Sequence, residues 1–123
     1  MNVKQVVLVV EDEALIRLSA FDIVEDAGFA AIGASNADEA IAILEARPDI
    51  LLVFTDIDMP GSMDGLKLAH YIRDRWPPVK LMVASGKSVV AESELPFGAR
   101  FFQKPYPHVE IADAMIRMLG PSS

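Results

Sequence analysis

Four short apolar runs in this 123-residue sequence each end on a residue that can do chemistry. Val6-Val7-Leu8-Val9-Val10 runs into Glu11-Asp12-Glu13, and Ile50-Leu51-Leu52-Val53-Phe54 runs into Thr55-Asp56. A third run, residues 79–84, ends on Ser85-Gly86, and a weaker fourth, residues 100–103 around the pair Phe101-Phe102, ends on Lys104-Pro105. Carboxylates brought within a few ångströms repel strongly in a partly desolvated site, and a divalent cation is the usual remedy. The donors are all oxygens, which suits Mg²⁺, an ion that takes one or two carboxylates plus a phosphate and keeps several waters. A lysine and a hydroxyl opposite the ion supply contacts for the remaining phosphate oxygens. The chemistry these types describe is a phosphoryl site with a carboxylate nucleophile. Each residue alone has a plainer use: the acidic triplet as the first turn of a helix, Asp56 and Asp58 as caps, Ser85 as a turn residue.

For these residues to meet, the elements that carry them must lie side by side. Helical patterns fill the gaps between the runs. Residues 13–27 carry Ile16, Ala20, Ile23, Val24 and Ala27 on one expected core face, with Gly28 as a C-terminal cap. Asn36 with Glu39 suits a capping box for a helix over 37–47, ended by Pro48. A third helix is expected over 66–76, preceded by Asp64 as its cap and stopped by Pro77-Pro78. A short fourth is expected over 88–95, cut by Pro96, and a last over 109–119, ended by Gly120-Pro121. With a weaker strand at 30–34, the order is βα five times. That alternation predicts a parallel sheet with right-handed crossovers and helices on both faces. In such sheets the working site lies at the carboxyl ends of the strands, where these polar residues stand.

Composition narrows the classes. The length suits one domain, 1–123. Hydrophobic residues make up 52% and charged ones 24%, which excludes disorder by composition. A net charge of −7 argues against direct nucleic acid binding and against anionic membranes. With no cysteine, disulfides, thiolate zinc sites and Cys nucleophiles are excluded. The first apolar run is too short for a signal peptide or membrane span, and a cytoplasmic location is expected. Gly86-Lys87-Ser88 ends like a phosphate-binding P-loop, but the earlier glycine it needs would be position 81, which is Leu.

Val9-Val10-Glu11-Asp12-Glu13, Thr55-Asp56-Ile57-Asp58-Met59-Pro60, Met63-Asp64-Gly65-Leu66, Ala84-Ser85-Gly86, Gly98-Ala99 and Lys104-Pro105-Tyr106 together resemble the receiver domain of bacterial two-component response regulators. The resemblance covers essentially the whole chain. It implies a flavodoxin-like doubly wound (βα)5 fold with a five-stranded parallel sheet of order 2-1-3-4-5. It implies that Asp56 accepts a phosphoryl group from a histidine kinase or a phosphotransfer protein. Glu11, Asp12, Asp56 and the backbone carbonyl of Asp58 would hold Mg²⁺. Ser85 would bond the phosphoryl group and Lys104 would pair with it, with Phe101 in the place of an aromatic switch residue. Such a domain is a phosphoacceptor with self-catalysed phosphorylation and dephosphorylation only, and it signals by protein contact. Only Gly120-Pro121-Ser122-Ser123 follow Leu119 in this sequence, so the resemblance implies either a stand-alone, single-domain type or a receiver piece of a longer protein.

Two departures from the family pattern stand out. The loop Pro60-Gly61-Ser62-Met63-Asp64 is one residue longer than the commonest form, and only 19 positions separate Ser85 from Lys104. Two other functional classes share part of the pattern. A haloacid-dehalogenase-type phosphatase would use Asp56 and Asp58 as nucleophile and acid/base, but it opens with that motif and needs a cap. A flavodoxin-like FMN module would sit poorly on an acidic rim. Lastly, Leu15, Leu18 and Phe21 fall outside the core arc of the first helix, at i, i+3 and i+6, and are expected to dock the phosphodonor.

Overall fold

The computed structural model describes residues 4–120, so Pro121, Ser122 and Ser123 of the expected tail lie outside the described residues. The chain runs β1 (Val6–Val10), α1 (Ala14–Asp26), β2 (Ala30–Ala34), α2 (Ala37–Ala46), β3 (Ile50–Asp56), α3 (Gly65–Arg75), β4 (Lys80–Ser85), β5 (Arg100–Gln103) and α4 (His108–Leu119). All strand pairs are parallel, in the order β2-β1-β3-β4-β5. This is the doubly wound sheet expected from the alternation.

The continuous apolar runs are explained by cover on both faces. Successive strand side chains point to opposite sides. Val7, Val9, Leu52, Phe54, Met82, Ala84 and Phe102 therefore pack with α1 and α4, through Ala20, Ile23, Val24, Ile111, Ala114 and Met115. Leu8, Val10, Val53, Leu81 and Val83 face the other way, onto Ala37, Ala40 and Leu44 of α2 and Leu68, Ala69 and Ile72 of α3.

Helix boundaries follow local chemistry. Asn36 Oδ1 accepts the Glu39 N–H at 2.8 Å, and Glu39 Oε1 accepts the Ser35 N–H at 2.8 Å, so the reciprocal bond reaches one residue further back than a capping box requires. Asp64 Oδ1 caps α3 by accepting the Lys67 N–H at 2.9 Å. Gly28 closes α1 at φ 98°, in the left-handed region.

Two expectations are corrected. Residues 88–95 do not form an α-helix; they make a single 3₁₀ turn, Glu92–Glu94. Eight residues are too few to sustain a helix without a buried face, Pro96 forces Leu95 into extended backbone (ψ 146°), and this stretch exposes all but a few of its side chains. The loop is instead tied to α3 through its backbone. His70 Nε2 lies 2.7 Å from the Glu94 carbonyl, and Arg73 Nε donates to the Phe97 carbonyl at 2.9 Å. The second correction is Ile16, expected on the core face but 36% exposed. One turn nearer the helix start than Ala20, it projects past the strand ends and lines the rim cleft instead.

Candidate functional site

The carboxyl ends of β1 and β3 bring three acids together. One carboxylate oxygen from each of Glu11, Asp12 and Asp56 lies within 4.8 Å of the others. Glu11 and Asp56 are buried, while Asp12 is exposed. Lys104, carried in by β5, places Nζ 3.2 Å from Asp56 Oδ1 and 3.4 Å from Glu11 Oε1. Of the residues expected to converge on one rim, Glu11, Asp12, Asp56 and Lys104 lie together there.

Local bonds hold the acids in place. Glu11 Oε2 accepts the Glu13 N–H at 3.1 Å, which turns the side chain back over the start of α1. Arg17, one turn into that helix, donates Nη1 to the Glu11 carbonyl at 2.7 Å. Thr55 Oγ1 donates to the Asp56 carbonyl at 2.9 Å. Gly65 lets α3 begin directly against β3. A Cβ there would lie 1.9 Å from the Asp56 carbonyl oxygen.

Burial sets the electrostatics. It raises the Glu11 carboxyl above its usual range, with the nearby Asp56 charge adding to the effect and Lys104 opposing it. Burial raises Asp56 too, against the pull of Lys104. For Lys104 burial acts downward, but the charges of Asp56 and Glu11 outweigh it, and its pKa ends above the ordinary lysine value. Burial likewise lifts the phenol of Tyr106, whose ring packs tilted against Phe54 at 5.8 Å.

The remaining expected site residues are distributed differently. Ser85 is fully buried, yet its hydroxyl donates to Asp58 Oδ2 at 2.6 Å and makes no contact with Asp56. Phe101 is half-buried against the α2–α3 side of the sheet. Leu15 and Leu18 are 80% and 56% exposed, but Phe21 is not free beside them. Its ring folds over Gly33 of β2, where a Cβ would lie only 2.6 Å from Phe21 Cζ. The docking stripe is thus shorter than the helical spacing suggested, because the edge strand offers a glycine-sized recess that takes the ring. Sequence reasoning missed Arg17, Gly65, the Ser85–Asp58 bond and the place of Ile16 in the cleft. Only Gly65 carried a sequence signal, as a glycine directly after a helix cap.

The donor set fits Mg²⁺. All three groups are oxygen donors, and among the described residues the buried Asp56 Oδ1 faces the Lys104 ammonium at 3.2 Å without a well-formed hydrogen bond. A buried anionic oxygen left in that state is a place for a cation.

A family model described as the response regulator receiver domain matches residues 7–116. Among curated proteins, the chain is 35% identical to the response regulator protein FleR of Pseudomonas aeruginosa over 114 residues, covering 90% of this chain and 24% of FleR. It is 31% identical to the response regulator receiver protein CpdR of Brucella abortus, covering 92% of this chain and 95% of CpdR. Among solved structures, NtrX from Brucella abortus superposes with a TM-score of 0.84 at 32% identity, over 98% of this chain and 28% of NtrX. The chain spans about a quarter of the length of the first curated relatives it matches, such as FleR.

Proposed function

Because the chain belongs to the response regulator receiver domain family, we propose that Asp56 is its phosphoacceptor, charged by a histidine kinase or a phosphotransfer protein in the cytoplasm. The observation that carries the assignment is the cluster of Glu11, Asp12 and Asp56 oxygens within 4.8 Å, with Lys104 Nζ 3.2 Å from Asp56. An Asp56 carboxylate oxygen attacks the phosphorus of phosphohistidine. The new O–P bond forms as the P–N bond breaks, and the imidazole nitrogen leaves with its electron pair to take a proton. Glu11, Asp12, Asp56 and the Asp58 carbonyl would hold Mg²⁺, which when bound supplies charge neutralisation for the phosphoryl oxygens. Lys104 pairs with the transferred group, and the Ser85 hydroxyl turns to it afterwards. Phe101, half-buried beside β4, moves with that rearrangement. Turnover beyond self-catalysed phosphorylation and hydrolysis of the acyl phosphate is not part of this reading. The Asp58 carboxylate is engaged by Ser85, so the phosphatase alternative lacks its free acid/base group.

Leu15 and Leu18 offer the exposed apolar surface on α1 next to this cluster, and we assign them to docking the phosphodonor protein. The experiment that tests the function is intact mass after acetyl phosphate and Mg²⁺. One phosphoryl group is expected on the wild type and none on Asp56→Asn. Labelling that survives Asp56→Asn overturns the assignment.

A further inference from the structure

We infer that the Asp58 side chain is a positioning residue that holds the Ser85 hydroxyl away from the phosphoryl position until phosphorylation. The inference rests on the reading of Asp56 as phosphoacceptor, and it concerns what must break before the switch can form.

The Ser85 hydroxyl has one proton and two acceptor sites. The proton is given to Asp58 Oδ2 at 2.6 Å, within the range of a short charge-assisted bond. The acceptor sites take the Ser88 N–H at 2.8 Å and the Lys87 N–H at 3.1 Å. Every bond this hydroxyl can make is therefore made, none of them to Asp56, and the residue is fully buried. Water cannot substitute for a lost partner there without entry into the core.

For Ser85 to donate to a phosphoryl oxygen on Asp56, the Oγ–H···Oδ2 bond must break and an Oγ–H···O–P bond must form. No covalent bond changes at Ser85; one proton changes its acceptor. The exchange leaves the Asp58 carboxylate without its donor, two residues from a newly placed anion. It also moves the oxygen to which the Lys87 and Ser88 amides are tied. Those amides open the loop that stands where a fourth helix would be, and the loop is fastened further along to His70 and Arg73. Asp58 thus opposes the phosphorylated arrangement, and the loop after β4 is where the opposition is read.

The test uses the whole chain with beryllofluoride and Mg²⁺ as the phosphoryl mimic, with dissociation constants read from ¹⁵N amide shifts of Gly86, Lys87 and Ser88. Asp58→Ala removes the competing acceptor and should tighten binding about tenfold, the population equivalent of one charge-assisted hydrogen bond. It should also move the free-state Lys87 and Ser88 amides toward their bound positions. Asp58→Asn keeps an acceptor without the charge, and an intermediate shift is expected. Loss of a negative charge alone could tighten anion binding, so the same change is made in a Ser85→Ala background. There the gain should shrink to about twofold or less, since no hydroxyl remains to be released. An equal gain in both backgrounds would show that Asp58 acts by charge alone and overturns the inference. Absence of any Mg²⁺-dependent response in the wild type instead overturns the receiver reading at Asp56.

Discussion

Replacing Gly65 by alanine should damage this domain more than any other glycine substitution at the site. Gly65 is buried, opens α3 and donates its N–H to the Ile57 carbonyl at 3.0 Å. An alanine Cβ would stand 1.9 Å from the Asp56 carbonyl oxygen, 2.7 Å from the Asp56 carbonyl carbon and 2.8 Å from Ile57 Cα. All three neighbours are backbone, so no rotamer change relieves the overlap. A carbon–oxygen contact of about 3.3 Å requires α3 to withdraw by about 1.4 Å. Withdrawal stretches the Gly65–Ile57 bond and lifts Leu68, Ala69 and Ile72 from the core. Overpacking of this kind costs about 1–3 kcal/mol, and a weakened buried hydrogen bond adds about 1–3 kcal/mol. Alanine's better helix propensity returns about 1 kcal/mol. The net loss is about 1–5 kcal/mol, or a fall in Tm of roughly 4–20 °C for a domain of this size. Thermal unfolding followed by circular dichroism measures it, and intact mass after acetyl phosphate should show slower labelling, because the end of β3 is displaced. Gly33→Ala is the control. Its Cβ meets the rotatable Phe21 ring at 2.6 Å, so a loss of only about 1 kcal/mol is expected. A Gly65→Ala protein that melts within about 2 °C of wild type and labels normally would refute the claimed closeness of α3 to β3.

The other predictions concern charge and surface. Asp56→Asn should stabilise the metal-free protein by about 1–3 kcal/mol at pH 7. Burial raises the folded-state pKa of Asp56, so the stability its protonated form contributes is present below the unfolded value and lost as pH rises through the folded one. The advantage of Asn should therefore fade as pH is lowered toward the ordinary carboxylate range, and a Tm difference independent of pH would contradict it. Mg²⁺ at about a hundredfold over its Kd should add about 2.7 kcal/mol to wild-type stability; Asp12→Ala should lose most of that gain while keeping its fold, and equal stabilisation of both would remove Asp12 from the metal site. Leu18→Ser should slow phosphotransfer from the cognate donor and leave acetyl phosphate labelling unchanged, and slowing of both routes would make Leu18 structural. Phe21→Ser should lower the unfolding free energy by about 2–4 kcal/mol, since its ring fills the recess over Gly33; a melt unchanged from wild type would return Phe21 to the exposed surface.

Most of the architecture was legible in the residues because its causes are local. A run such as Val6–Val10 is apolar at every position, which only a doubly covered strand requires. Asn36, Asp64 and Gly28 mark helix ends through bonds and backbone angles a few residues long. Helix ends were accordingly placed within about one residue, and the polar residues at the strand ends met on the expected rim. What the sequence could not determine depends on residues distant in the chain arriving at one point. Ile16 has the right helical phase for the core, but the sheet ends beneath it. Phe21 has the phase of a surface residue, yet a glycine on the edge strand gives its ring a place to lie. Residues 88–95 carry helix-forming Ala and Glu beside Val89 and Val90, and the structure adds what the sequence could not show, the bonds from His70 to the Glu94 carbonyl and from Arg73 to the nearby Phe97 carbonyl that fasten the loop to α3. The Ser85 hydroxyl donates to a carboxylate 27 positions earlier in the chain, a pairing that exists only because β3 and β4 are neighbours in the sheet. Periodicity reports the face a residue occupies on its own element. Which group waits across the gap is decided by packing, where a hydroxyl with a single proton can serve only one acceptor at a time.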